Sequence, residues 1–278
     1  MSEQHDLGGG VWSFQSPLWQ TNSLLAVSGD ALLCDPAFTP EEIGTIATEA
    51  KQRAGSRSFL VVTHADYDHV CGIPYFPDAE VAAGAGAAAK LRDGTAAAGL
   101  ASGGAEWGVE WPSKLRVDRE LAAGESDLGS FRVAAIDATS HGREGLAFVL
   151  LEQGILLPGD NLSAITIPLL AGSLARARES TERLLAALER YTLRYVVPGH
   201  GPVLAPEEAR RIGEEDLRYL ERLDASAHEA AHEGLSPGYA AVRVYEVEPP
   251  RPSTAGFEIY DIHGGNARLA LREHGIEA

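Results

Sequence analysis

A chain of 278 residues, 45% hydrophobic, carries enough apolar sequence for a substantial core in one large α/β domain or two small ones. Its formal net charge of −17 repels phosphate backbones and anionic lipid, so neither nucleic acid nor a membrane surface is an expected partner, and a small-molecule substrate is. The only cysteines, Cys34 and Cys71, make no disulfide framework. The N-terminus "MSEQHDLGGG" has no signal-peptide core, and no apolar run is long enough to span a bilayer, so the expected compartment is the cytoplasm.

In chain order, "SLLAVSGDALLCDPAF" predicts two strands with a turn at Gly29 and Asp30. "TPEEIGTIATEAKQRAG" predicts a helix capped by Thr39, with Pro40 at its first position and an end near Gly55. "FLVVTH" is a buried strand, and "AEVAAGAGAAAKLRDG" a strand or loop followed by a short helix. Residues 94–128, rich in Gly and Ala, resist assignment. "FRVAAIDATSH", "LAFVLLEQGILLPGD" and "LRYVVPGH" carry strand signals. "SLARARESTERLLAALERY" has helical spacing. A long charged helix runs from Ala205 to Gly234, with a break expected near Gly213. The tail "GFEIYDIHGGNARLALREHG" predicts a short strand, a turn and a last helix. With no repeat and no linker, a single domain is the simpler organisation, its core over about 11–203 and a helical closing segment over about 204–278.

Four strand-like runs end in a His or Asp: "FLVVTH" at His64, "FRVAAIDATSH" at His141, "GILLPGD" at Asp160 and "RYVVPGH" at His200. In α/β sheets ligands collect at the carboxyl ends of strands, where loops fan out. With Asp66, Asp68 and His69 from "HADYDH" there are seven candidate ligands, a number that suits two metal ions sharing a bridging carboxylate. Such pairs sit about 3.5–4 Å apart and activate water for hydrolysis. Any one of these motifs alone is an ordinary turn; the ordered set is not.

Other signals are weaker. "HEAAH", His228 to His232, fits a zincin pattern, but it lies in an Ala- and Glu-rich helix with no third ligand following, and reads as a solvated face. Cys34, Cys71 and Tyr67 read as packing residues. Trp107 and Trp111 either line a pocket or belong to the core. His263 with Asn266, ahead of the last helix, are candidates to reach the mouth of the site from the substrate side.

At "HADYDH", "SHGREG", "PGD" and "PGHGP" the chain resembles the metallo-β-lactamase fold superfamily, whose pattern is His-x-His-x-Asp-His followed by a His, an Asp and a final His. The resemblance spans roughly Val11 to Val203. It implies a four-layer αββα sandwich, here with a helical C-terminal extension, and metals at one edge. It further implies that His64, the residue at 66 and His141 bind one ion, that Asp68, His69 and His200 bind the second, and that Asp160 bridges both. Two departures stand out: the second His of the pattern is Asp66, and the more usual "PGHTPG" is "TSHGREG". With Asp66, Asp68, Asp160 and a bridging hydroxide, two divalent ions would be formally neutralised. Asp66 is then either an alternative zinc ligand or a harder donor that shifts the first site towards iron or manganese. A flavin-linked di-iron branch of the superfamily also has a carboxylate there, but this chain has no room for a flavin domain and no Gly-rich phosphate loop.

The expectation is therefore a zinc-dependent binuclear hydrolase of the glyoxalase II-like branch. A metal-bridging hydroxide would act on an ester, thioester, lactone or related small molecule, with Asp68 orienting it and moving its proton. The alternatives are an iron-dependent oxidoreductase or dioxygenase on the same fold, or a non-catalytic metal-binding protein. Substrate, native metal and oligomeric state are not written in the sequence.

Overall fold

The computed structural model describes residues 2–55, 57–139, 144–170, 172–252 and 256–277. One sheet holds seven strands in sequence order: β1 (Glu3–Gly8), β2 (Val11–Gln15), β3 (Asn22–Ser28), β4 (Asp30–Cys34), β5 (Ser58–Val62), β6 (Glu80–Gly84) and β7 (Arg119–Leu121). Pairing is antiparallel from β1 to β4 and parallel from β4 to β7. The second sheet comprises β8 (Gly124–Leu128), β9 (Phe131–Asp137), β10 (Leu146–Leu150), β11 (Ile155–Leu157) and β12 (Tyr195–Val196), in the order β12-β11-β10-β9-β8, with only β11 and β12 parallel.

The central strands are apolar at nearly every position because both of their faces are covered. In β5, Phe59 and Val61 point into the layer between the sheets, against Phe131, Phe148 and Leu150. Leu60 and Val62 point the other way, with Leu33, Ile43 and Ile46. The latter two belong to α1 (Pro40–Arg53), which starts with a capping box: Glu42 N donates to Thr39 Oγ1, and Thr39 N donates to Glu42 Oε2. On the far side, α5 (Leu174–Arg190) and α6 (Pro206–His232) bring Leu184, Leu188 and Ile212 onto Val149 and Leu156 of the second sheet. The layers are thus helix, sheet, sheet, helix. The rest of α6 packs with α7 (Pro237–Tyr245) and α8 (Ile259–Glu273) in a further cluster around Tyr219, Leu223 and Leu271.

Two expectations change, at Gly213 and in the tail, and two stretches that carried no assignment gain one. The polar N-terminus is strand β1, held by pairing with β2 rather than by apolar content. Helix α6 runs unbroken through Gly213, where the missing side chain admits Leu185 and Leu162; an added Cβ would lie 2.9 and 3.0 Å from their methyls. No strand is assigned to the described residues of the tail, and its "HGG" lies inside α8 instead of forming a turn. The unassigned stretch 94–128 contains α4 (Thr95–Trp107), β7 and β8.

One short helix completes what positions the site: α2 (Tyr67–Val70), directly after β5; α3 (Ala85–Asp93) follows β6. Gly72, just beyond α2, presses on the loop after β4: a Cβ there would sit 2.1 Å from the Pro36 carbonyl oxygen and 2.7 Å from the Pro36 Cβ. Gly72→Ala is therefore expected to lower stability by about 1–3 kcal/mol, the usual cost of overpacking. A denaturant midpoint unchanged from the wild type would contradict that close contact.

Candidate metal centre

The carboxyl ends of β4 and β5 in one sheet, and of β11 and β12 in the other, open onto one edge of the sandwich. Thr63 and His64 follow β5. Thr63 Oγ1 donates to Asp35 Oδ2 at 2.5 Å and so accepts from His64 Nδ1 at 3.0 Å. That leaves His64 Nε2 facing Asp160 Oδ2 at 3.6 Å and Asp66 Oδ2 at 3.7 Å. The single turn of α2 sets Asp68 and His69 side by side, both buried. His69 Nδ1 donates to Asp35 Oδ2 at 2.9 Å, and its Nε2 lies 3.0 Å from Asp160 Oδ1 and 3.6 Å from Asp68 Oδ2. After β12, His200 Nδ1 donates to the Trp19 carbonyl at 3.1 Å, and its Nε2 approaches Asp68 Oδ2 at 3.2 Å and Asp160 Oδ1 at 3.5 Å. All three imidazoles have Nδ1 occupied by an oxygen and Nε2 turned inward, the arrangement by which outer hydrogen bonds orient metal-binding histidines.

The backbone is shaped for this meeting. Gly159 takes φ +59, and Asn161 Nδ2 closes the "PGD" turn onto the Pro158 carbonyl at 2.9 Å. Gly199 N donates to the Gly159 carbonyl at 2.7 Å, tying the two turns together. A Cβ on Gly199 would lie 2.3 Å from Asp160 Oδ1 and 2.9 Å from His69 Cε1. Asn22 Nδ2 holds the far side of the His200 turn through the carbonyls of Pro198 and Gly201, at 2.8 and 2.7 Å.

The field of the site calls for a cation. Burial lowers the proton affinity of His69 and His200, but Asp160 and Asp68 outweigh it, raising His69 well above the ordinary range and pushing His200 up to about 9. Burial opposes ionisation of Asp68, yet His69 and His200 hold its carboxyl below the ordinary range. Two groups bring their donor atoms within 4.8 Å of one another: His64, His69 and Asp160, and Asp68, His69 and His200. Imidazole nitrogens with carboxylate oxygens, buried and convergent, fit a divalent ion.

Of the residues expected from sequence, His64, Asp68, His69, Asp160 and His200 come together. Asp66 stands beside His64 but belongs to neither group, and its side chain is 43% exposed at the mouth. His141 lies outside the described residues. His263 and Asn266 are not at the mouth, which corrects their expected substrate-side role. Both are fully buried among the C-terminal helices, where His263 meets Tyr219 Oη at 2.8 Å and the Tyr245 carbonyl at 3.0 Å, and Asn266 Nδ2 donates to the Pro168 carbonyl at 2.6 Å. His228 and His232 of "HEAAH" are exposed on α6, and no such metal group among the described residues includes them. Cys34 and Cys71 are buried, free thiols, with burial the main cause of their raised pKa.

Sequence reasoning missed Asp35. It takes φ +45, accepts from Thr63 N at 2.9 Å, and is the oxygen that orients His69. Its signal was available in "LLCDP", a carboxylate directly after a strand at the same edge. Asp35→Asn is expected to weaken metal binding about 10–100-fold, as changes to such outer partners do. Competition against a chromophoric chelator measures this; wild-type affinity would remove Asp35 from the site.

Above the carboxylates opens a cleft of about 470 Å³. Its floor includes Asp68, Asp160 and His200, and its walls include Trp19, Tyr67, Trp107 and Phe257. Trp107 lines this cleft, whereas Trp111 packs on Phe38 and donates from Nε1 to its carbonyl at 2.8 Å.

Two stacked sheets thus bring imidazoles and carboxylates together at one edge, in groups that could hold a metal ion. The sequence profile of the Metallo-beta-lactamase superfamily matches residues 16–200, and the chain belongs to that superfamily. No curated protein matches it. Among solved structures, a metallo-β-lactamase from Pontibacter korlensis is 18% identical with a TM-score of 0.57, covering 80% of this chain and 99% of its own. The FIM-1 metallo-β-lactamase from Pseudomonas aeruginosa, in a mono-zinc form, is 17% identical with a TM-score of 0.55, over 77% and 95%. The sec-alkylsulfatase Pisa1 from Pseudomonas sp. is 14% identical with a TM-score of 0.72, covering 98% of this chain and 50% of its own. At these identities the likeness is one of fold. Among the described residues, no helix is long and apolar enough to cross a membrane.

Proposed function

We propose that the chain is a binuclear metal-dependent hydrolase acting on a small ester, thioester, lactone or related substrate. The observation that carries this is the convergence of three inward-turned imidazole nitrogens with Asp68 and Asp160 on the floor of an open cleft. His64, Asp66 and His141 would hold one ion, Asp68, His69 and His200 the other, with Asp160 shared. When bound, divalent ions there supply an activated water and polarise the substrate's carbonyl. Each set then offers two imidazoles and one carboxylate besides Asp160, a donor mix that suits zinc and, because Asp66 stands where the family pattern has a histidine, also iron or manganese at the first site.

The chain's own residues do the rest. Asp35, through His69, and the Trp19 carbonyl, through His200, hold those rings at fixed angles, so ordering is complete before substrate arrives. Asp68, buried beside His200 at 3.2 Å, is placed to accept a proton on the cleft side. Aromatic walls exclude water around the substrate's apolar part.

Chelator treatment tests the reading. Hydrolysis of a panel of generic esters, thioesters and lactones is expected to vanish after metal stripping and to return on adding zinc or manganese. Turnover that survives complete stripping would overturn it. The Asp66 carboxylate favours one second reading, an iron-dependent oxidoreductase; iron as the native metal, with oxygen or thiol consumption and no hydrolysis, would establish that instead.

A further inference from the structure

We propose that the cleft selects substrates whose apolar acyl body ends in a cationic group. This rests on the hydrolase reading for its chemistry, while the charge preference stands on the cleft itself. Trp19 stacks on Phe257 with ring centres 5.5 Å apart at 24°, and Trp107 meets Trp19 edge-on at 5.0 Å. Trp107 Nε1 donates to Tyr67 Oη at 2.9 Å, and Phe257 reaches the His200 ring at 5.1 Å. A continuous aromatic wall therefore runs from the metal centre to the rim, matched to an apolar body.

The rim is acidic. Glu106, Glu258 and Asp261 line the cleft and are exposed. No ion pair joins any of them to a Lys or Arg among the described residues. Glu258 is the residue before the first turn of α8, yet its side chain makes no capping hydrogen bond, so its carboxylate is not spent on the helix. Asp261 lies in that first turn, where the positive end of the helix partly offsets its charge. Glu106 lies at the opposite kind of terminus, one residue before the end of α4, where the helix dipole adds to the negative field. An anionic tail would meet these carboxylates over a low-dielectric aromatic surface. An ammonium-type tail gains from the carboxylates and from the ring faces together.

The probes are three para-nitrophenyl esters of matched shape: of γ-trimethylammoniobutyrate, of its tert-butyl carbon isostere, and of glutarate as the half-ester. The expected order of kcat/KM is cationic, then neutral, then anionic, with about tenfold between neighbours, shrinking as salt rises. The double variant Glu258→Gln, Asp261→Asn should lower the cationic-to-neutral ratio about threefold, with Glu106 and the ring faces keeping the remainder. An anionic ester turned over as well as the cationic one, or a ratio untouched by the double variant, overturns the proposal. Tryptophan fluorescence titration with the methyl ketones of the same three tails reads binding without turnover. Charge-ordered binding with no hydrolysis removes the hydrolase reading and keeps the cleft's preference. Hydrolysis without charge order does the reverse.

Discussion

Asp160→Asn is expected to lower kcat/KM about a thousandfold, roughly 4 kcal/mol, the scale of losing metal-derived stabilisation of a reaction's developing charge. Asp160 reaches all three described imidazoles of the centre: Oδ1 faces His69 and His200 at 3.0 and 3.5 Å, and Oδ2 faces His64 at 3.6 Å. Asparagine keeps the shape of the side chain but removes the charge, and turns either an amide hydrogen or a single neutral oxygen towards each set of nitrogens. Bound metal should fall with activity, because the field that favours cations is largely set by this carboxylate and Asp68. A variant that keeps activity within tenfold and full metal content would show that Asp160 is not shared between ions.

Gly199→Ala is expected to cost about a hundredfold in kcat/KM without removing any donor, the order of loss that a displacement near 1 Å produces. The added methyl would sit 2.3 Å from Asp160 Oδ1 and 2.9 Å from His69 Cε1, so one of the two must move. Gly44→Ala is the control: it lies in α1 with nothing within 4 Å of the added carbon, and should leave activity intact while helping the helix slightly. Full metal content and activity in Gly199→Ala would mean that the "PGH" turn relaxes freely, and that its tie to the "PGD" turn is not what fixes the site.

Much of the edge was legible before the fold. "FLVVTH", "ILLPGD" and "RYVVPGH" announce strands that deliver His64, Asp160 and His200, and "HADYDH" adds Asp68 and His69. Thr39, Pro40 and Glu42 announce α1 by their capping chemistry. What failed had physical causes. The period-2 alternation of the central strands is invisible because both faces are buried, so layer assignment needed the resemblance to a family. "HGG" reads as a turn, yet it lies inside α8, where a Cβ at Gly264 would meet the Tyr245 ring at an ordinary 3.5 Å and one at Gly265 would meet nothing within 4 Å; the helix is held by its buried face of Ile259, His263, Asn266, Ala267 and Leu271 despite these glycines. His263 and Asn266 were misplaced because polar residues before a helix signal exposure, whereas here both are buried and share the Tyr219 hydroxyl as a hydrogen-bond partner. Asp35 and Trp19 act through contacts with residues 34 and 181 positions away in sequence, beyond any window of pattern.

The most direct measurement is the metal content of protein purified without added metal or chelator, by elemental mass spectrometry, beside His64→Ala and His200→Ala. About two divalent ions per chain are expected in the wild type, and fewer in each variant. A wild type that retains no zinc, manganese or iron after incubation with each, once unbound ions are removed by gel filtration, would contradict the metal centre.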